Sequence, residues 1–375
     1  MRRQFIIVAL ALLLVGVLTV SADEAVLIDF SLLKADIPDS QNQGRLKENR
    51  ASMMDFSGAA GASYTEDQKQ QMRVSLAIPN WDVVLASSSR TTMTQSLSKT
   101  AEVPVPQGAK QYSGKSVLGM RIRFPEEAYN SWARIKPPFE IPAFEKTDVS
   151  ADGVITKKED QRGLTRFEGS LDENTKVKTA IGIVKNVGPL KSVAVNVKGL
   201  NFPHGLSLVL KDQDGVEKVV FMGYLNFDGW KELRWDNPQY ISDIRNRELR
   251  IFPLYPNTVP MLKFDGFVVT RDASHEGGDF VAYIKDVKIL YDKAVLDPGI
   301  DIDDEEVWQI VGKKEEVRKI IESKRFGHQQ VMRYLETKKS EDTIEFRKEP
   351  GTDVSSPAAD AGSPNQAAPA APTNP

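Results

Sequence analysis

Leu118-Gly-Met-Arg-Ile-Arg-Phe124 is the stretch on which the fold class turns. In an extended chain successive side chains point to opposite sides, so Leu118, Met120, Ile122 and Phe124 share one face and Arg121 and Arg123 the other. The pattern recurs downstream. Val193, Val195 and Val197 alternate with Asn196 and Lys198. Leu206, Leu208 and Leu210 alternate with Ser207 and Lys211, and Val287, Ile289 and Tyr291 with Asp286 and Lys288. A period of two with one polar face marks half-buried antiparallel strands. Turn-forming residues separate them at Asn186-Val-Gly-Pro189, Asp212-Gln-Asp-Gly215, Phe227-Asp-Gly229 and Asn237-Pro238. Short strands joined by such turns predict a mainly β chain, an antiparallel β-sandwich of jelly-roll type.

Outward from these runs, Ala25–Phe30 and Trp81–Ala86 read as further strands. The polar stretches 36–71 and 87–111 carry no sustained period and read as an arm and a loop. One C-terminal α-helix is predicted at about 303–326. Asp301-Ile-Asp-Asp-Glu-Glu306 puts negative charge at its start, and Lys313, Lys314, Arg318, Lys319, Lys324 and Arg325 load its later turns. That polarity complements the helix dipole, and the acidic run needs no bound metal to explain it. Val307, Ile310, Val311, Val317 and Ile321 give the helix an apolar stripe expected to dock on the sandwich or on a neighbour.

The ends have a different character. Met1-Arg2-Arg3 is positive, Phe5–Val20 is almost unbroken apolar sequence, and Val20-Ser21-Ala22 precedes the acidic Asp23-Glu24. This is the layout of a secretory signal peptide cut after Ala22. An apolar run of about sixteen residues is short for a membrane span of roughly twenty. The expected organisation is therefore a leader at 1–22, a folded domain at 23–345 and a disordered Pro/Ala-rich tail at 346–375. The mature chain is expected outside the cytoplasm, with no membrane insertion.

Composition narrows the chemistry. The 375 residues are 41% hydrophobic and 27% charged with a formal charge of −3, enough for a packed core and without the basic excess of a nucleic-acid binder. There is no cysteine, which removes thiol catalysis and cysteine-ligated metals. The three histidines, His204, His275 and His328, are scattered. No G-x-S-x-G, S-x-x-K or H-E-x-x-H motif occurs, so no catalytic residue is expected.

Two segments invite a binding reading. Asp148-Val-Ser-Ala-Asp-Gly-Val-Ile-Thr-Lys-Lys-Glu159 places Asp148, Ser150, Asp152 and Glu159 at the spacing of an EF-hand calcium loop, with Gly153 at its turn. Pro137, Pro138 and Pro142 argue against an entering helix, and the plainer reading is a solvated turn. Calcium is the one cofactor candidate. Trp230 and Trp235 are an odd number of residues apart, so a regular strand points them to opposite faces, one to the core and one to an interaction surface.

Several ordered motifs resemble those of the FlaA family, outer-layer (sheath) proteins of spirochaete periplasmic flagella. They are Val117-Leu-Gly-Met-Arg-Ile-Arg-Phe-Pro125, Asn130-Ser-Trp-Ala-Arg-Ile-Lys-Pro137, Phe227-Asp-Gly-Trp-Lys-Glu-Leu-Arg-Trp-Asp-Asn-Pro238, Leu254-Tyr-Pro-Asn-Thr-Val-Pro260, Gly277-Gly-Asp-Phe280, Tyr283-Ile-Lys-Asp-Val287 and Asp301-Ile-Asp-Asp-Glu-Glu-Val-Trp-Gln309. The arm near 36–71, the charged stretch near 148–178 and the tail depart from the pattern. The resemblance implies a non-enzymatic periplasmic subunit that coats a core of FlaB-type flagellins, meets other sheath subunits and paralogues, and modulates filament shape, stiffness and motility. The rival expectation is a secreted carbohydrate-binding module of similar fold.

Overall fold

The computed structural model describes residues 22–38, 46–144, 147–150, 153–157, 166–169, 178–247, 251–253, 257–297, 302 and 304–347. The leader, most of the charged 148–178 stretch and the tail from 348 onward lie outside the described residues. The described residues up to Val331 form one compact unit, and those from Met332 onward, the last stretch of a helix, belong to a second.

The main strands are β1 (Asp23–Asp29), β2 (Asp82–Leu85), β3 (Lys99–Pro104), β4 (Ser116–Phe124), β5 (Ser131–Lys136), β6 (Val187–Leu200), β7 (Gly205–Asp212), β8 (Glu217–Tyr224), β9 (Asp228–Asp236), β10 (Met261–Arg271) and β11 (Gly278–Lys293). They form two antiparallel sheets. The first runs β9-β6-β11; beyond β11, β1 pairs its C-terminal half and β4 its N-terminal half, with β3 outside β4. The second runs β8-β7-β10-β5-β2. The chain passes repeatedly from one sheet to the other: β4 to β5, β6 to β7, β8 to β9 and β10 to β11. This is the predicted jelly-roll-type sandwich.

The alternating residues meet between the sheets. Leu118, Met120, Ile122, Phe124, Val193, Val195, Val197, Leu206, Leu208, Leu210, Val287 and Ile289 are all buried. Phe30, Trp81, Phe264 and Phe267 form an aromatic cluster with ring centroids 5.1–6.3 Å apart. Edge-to-face packing of this kind adds to the burial of four large side chains. In β7 the outward Ser207 and Val209 are buried too, so this strand is covered on both faces and not half-buried as its alternation suggests. At Asn186, φ is 58°, so the chain turns there as predicted, but Val187–Pro189 already run in β6 with an irregular register.

The polar stretch 36–71 is not a bare arm. It holds short strands at Ile37–Pro38, Leu46–Glu48 and Met54–Asp55 and helix α1 (Glu66–Gln71), with Ile37, Met53, Met54 and Phe56 buried. Its fixing groups are polar. The Asn49 amide donates to the Leu32 and Lys34 carbonyls and accepts from Ser52 N, while Ser75 N and Oγ donate to the Glu48 carboxylate. Hydrogen bonds between distant residues leave no hydrophobic period to read. Likewise 87–111 holds α2 (Thr92–Leu97), closed by a Thr91–Thr94 capping box, and strand β3.

After α3 (Tyr240–Arg247), the C-terminal helix comes in two pieces, α4 (Asp304–Trp308) and α5 (Ile310–Arg347). They are separated at Gln309, whose φ of 51° breaks the helix. Within the acidic run, Glu305 serves as a cap. Its carboxylate accepts from the N–H groups of Val311 and Gly312, both at 2.9 Å, at the start of α5. The helix runs well past the expected end near 326. Its docking side also differs from expectation. Val307, Ile310, Val317 and Ile321 are exposed, and α5 packs instead through Phe326, Gly327, Gln330 and Val331. Phe326 stacks on Phe56 at 5.8 Å, and Gln330 donates to the Pro138 carbonyl at 2.7 Å. No helix among the described residues is long and apolar enough to cross a membrane.

Candidate interaction surfaces

The Val193–Trp235 and Lys198–Trp230 pairs across β6 and β9 set the two tryptophans on opposite faces, as their spacing requires. Trp235 lies beside the buried Leu233 face and packs against the core, with the Lys218 ammonium 5.2 Å from its ring centre. Trp230 lies on the outer face of the first sheet. Both are half-buried, so neither is the fully enclosed one the spacing argument envisages.

Trp230 has a partner that its strand does not supply. The loop between β3 and β4 folds back over the outer face and sets Tyr112 edge-on to Trp230, at 4.8 Å and 74°. Beneath lies a row of polar groups in register across the sheet: Asp29 on β1, Asp286 on β11, Asn196 on β6 and Glu232 on β9. The Asn196 amide nitrogen donates to Asp286 at 2.6 Å. Lys285 occupies an extra position in β11, is almost wholly buried, and ion-pairs with both Asp29 and Asp286 while its ammonium sits 5.8 Å from the Tyr112 ring centre. A buried cation with two carboxylates is tolerated because each charge is answered. Burial, then Asp286, Glu232 and Asp29, hold the Tyr112 hydroxyl above its ordinary value. Tyr112, Trp230, Asn196, Lys231, Glu232 and Gln111 enclose an open groove of about 370 Å³.

The second sheet exposes an apolar outer face. Across four strands, Tyr224 lies level with Gly205, Thr270 and Trp132, and Phe221 with Ser207, Val268 and Arg134. Trp132, Val219, Phe221 and Tyr224 are exposed, and Phe221 packs edge-on against Tyr224 at 5.3 Å. The other end of this face is closed by the 137–144 strap. There Glu140 binds Lys211 at 2.8 Å and Lys263 at 3.1 Å, and Arg325 of α5 reaches it at 3.1 Å. Burial alone would raise the Glu140 carboxyl, but Lys263 and Lys211 outweigh it and hold it at about 2. A second exposed apolar surface runs along α4 and the start of α5: Val307, Trp308, Ile310, Val317, Ile320 and Ile321, with Trp308 62% exposed.

His204 is buried against Phe124 and Phe280 at 5.0 and 4.8 Å, and His275 is 6.4 Å away. Burial, with His275 and Arg271 adding to it, pushes it down to about 4. It is a core histidine held neutral. Of the calcium-loop candidates, Asp152 and Glu159 and the side chain of Asp148 lie outside the described residues. The described part is a β-hairpin, Thr147–Val149 against Ile155–Lys157. Ser150 closes its turn by accepting from Val154 N. Among the described residues no cluster of three or more His, Asp or Glu is placed to hold a metal.

A sandwich with exposed aromatic faces fits the motifs read from the sequence, and comparison with known proteins agrees. The model of the flagellar filament outer layer protein FlaA matches residues 45–299. This chain belongs to the FlaA family. The flagellar filament outer layer protein of Treponema pallidum is 48% identical over 92% of this chain and 96% of its own length. That of Spirochaeta aurantia is 42% identical over 96% of this chain and 97% of its own, and that of Borreliella burgdorferi 32% over 68% and 66%. The FlaA match takes in 45–71 of the 36–71 stretch, and its range runs across the charged stretch at 148–178. Among solved structures, a carbohydrate-binding module in complex with β-1,4-galactotriose aligns over 57% of this chain and 88% of its own, at 11% identity and a TM-score of 0.25. A family 11 carbohydrate-binding module of Clostridium thermocellum aligns over 59% and 91%, at 10% identity and a TM-score of 0.23.

Proposed function

We propose that this chain is a non-enzymatic structural subunit of the outer layer of a flagellar filament. In this reading it is exported to the periplasm and laid over a core of FlaB-type flagellins, where it adjusts the shape and stiffness of the filament and hence motility. The observation that carries the reading is the presence of two separate exposed apolar faces on one folded unit: the aromatic outer face of the second sheet and the α4–α5 ridge. A binding module with a single ligand needs one surface. A coat subunit needs at least two, one for the core and one for its neighbour, and weak contacts repeated along a filament add up through multivalency. The names of the T. pallidum and S. aurantia relatives support the same assignment. The test is cryo-electron tomography of cells with and without the gene, together with the composition of purified filaments. The expected result is a thinner or differently curved filament in the deletion strain. Filaments that contain none of this protein in the parent strain and are unchanged in the deletion strain would overturn the assignment.

A further inference from the structure

We propose that the corner between Tyr112 and Trp230 binds a neutral pyranose unit of a glycan. The groove has features that a bare coat surface does not require. Tyr112 sits at φ 56°, a left-handed conformation unfavourable for a bulky side chain, and the fold maintains it there. The loop that carries it is tied at its base by Val105 N to Lys115 O at 2.8 Å and Gly114 N to Val105 O at 3.1 Å. Under the ring lie the buried Lys285 and its two carboxylates, on a sheet face where aliphatic side chains would serve stability equally well. The left-handed tyrosine, the buried ionic support and the half-buried tryptophan converge on one concavity.

The shape of that concavity selects the ligand. Tyr112, edge-on to Trp230, leaves a small apolar corner between the two rings, against which a C–H edge of a sugar ring packs. Planar polar groups stand beside them. Asn196, its amide nitrogen engaged by Asp286, presents an amide oxygen, Glu232 a carboxylate and Gln111 an amide, suited to pairs of adjacent hydroxyls. A groove of about 370 Å³ is within the range of small-ligand sites. Lys231 offsets Glu232 in the groove lining and Lys285 answers the Asp286 carboxylate behind Asn196, so no net positive charge selects an acidic sugar, and the pyranose is neutral. The inference stands apart from the outer-layer assignment, because it concerns the purified chain alone.

The experiment is titration calorimetry of the full-length mature protein with cellotetraose, β-1,4-galactotetraose, chitotetraose and tetragalacturonate. Binding of at least one neutral tetrasaccharide is expected with a Kd of roughly 0.1–1 mM, as suits an open site holding little more than one ring. Tetragalacturonate should bind more weakly. Trp230→Ala should weaken binding at least about tenfold. Glu232→Gln, an exposed and nearly isosteric change, should weaken it less, and serves if Trp230→Ala melts early. Trp132→Ala, on the other sheet, should leave it unchanged. No heat from any neutral sugar at about 10 mM, or undiminished binding in both groove variants, would overturn the proposal; sites weaker than that lie outside useful recognition. Co-sedimentation with isolated cell-wall sacculi, and with filament cores before and after deglycosylation, distinguishes a cell-envelope source of the sugar from a glycoprotein one.

Discussion

At the scale of single residues, acid should act on this fold through two separable windows. His204 is depressed from 6.5 to about 4, so on acidification the unfolded chain takes up its proton first. The stability that depends on neutral His204 is present above pH 6.5 and is lost as the pH falls towards about 4. Glu140 is depressed from 4.5 to about 2, so its contribution is present above 4.5 and is lost on the way down to about 2. Glu48 and Asp265 are raised, chiefly by burial, and act in the opposite sense, so variants isolate each group better than the raw profile does. His204→Phe keeps an aromatic ring beside Phe124 and Phe280. It should remove on the order of 2–3 kcal/mol of the stability lost between pH 7 and pH 4, measured by urea unfolding at several pH values. An unchanged pH profile in this variant would show that His204 is not the titrating group. Tyr112 is invisible to sequence reading, since nothing local foretells a left-handed tyrosine or its contact with a distant tryptophan. One signal does exist. Lys285-Asp286 places two adjacent charges in the middle of an alternating strand, so that one must fall on the core side, and the structure resolves it with the extra residue in β11.

At the scale of elements, the strands are legible in the sequence and the pieces that cover them are not. β4 and β6 follow a period of two because one of their faces is core, and β7 keeps that period in Leu206, Leu208 and Leu210 although its other face is covered too. The 36–71 stretch is held by Asn49, Ser52, Ser75 and Glu48, whose contacts cross many residues and carry no period. Charge polarity reveals the helix but not its docking face, because the stripe with the right spacing is the exposed one. This yields a contrast. Phe326→Ala should cost about 3 kcal/mol, removing the ring that seats α5 on Phe56. Val317→Glu should stay within about 0.5 kcal/mol of wild type, since that side chain is exposed. Equal thermal shifts in the two variants would reverse the assignment of the docking face. In β10, Gly266 has φ 132° where the register shifts, and a Cβ there would lie 2.3 Å from the Ile135 carbonyl oxygen. Gly266→Ala should therefore destabilise by at least about 2–3 kcal/mol, checked by denaturant titration. The same change at the open Gly58 should be mild.

At the scale of the whole molecule, the two apolar faces should matter for assembly and not for folding. Phe221→Glu and Ile321→Glu each place a carboxylate in a face that the isolated chain leaves in water. Both should melt with the wild type, and both should co-sediment poorly with filaments, at least about tenfold below wild type if each face is a contact. Full co-sedimentation of the double variant would remove these faces from the assembly model. The edge strand β9 bears on the mechanics of such a layer. Its Asp228, Lys231, Glu232, Arg234 and Asp236 are exposed at the open margin of the first sheet. Charges along a margin discourage another strand from bonding to it. Neighbouring subunits would then touch this margin through side chains and form no backbone ladder along it. A rotating curved shaft lengthens one flank and shortens the other on every revolution. A jacket joined by continuous ladders would have to break them each time round, whereas plates that meet face against face can slip a little and recover.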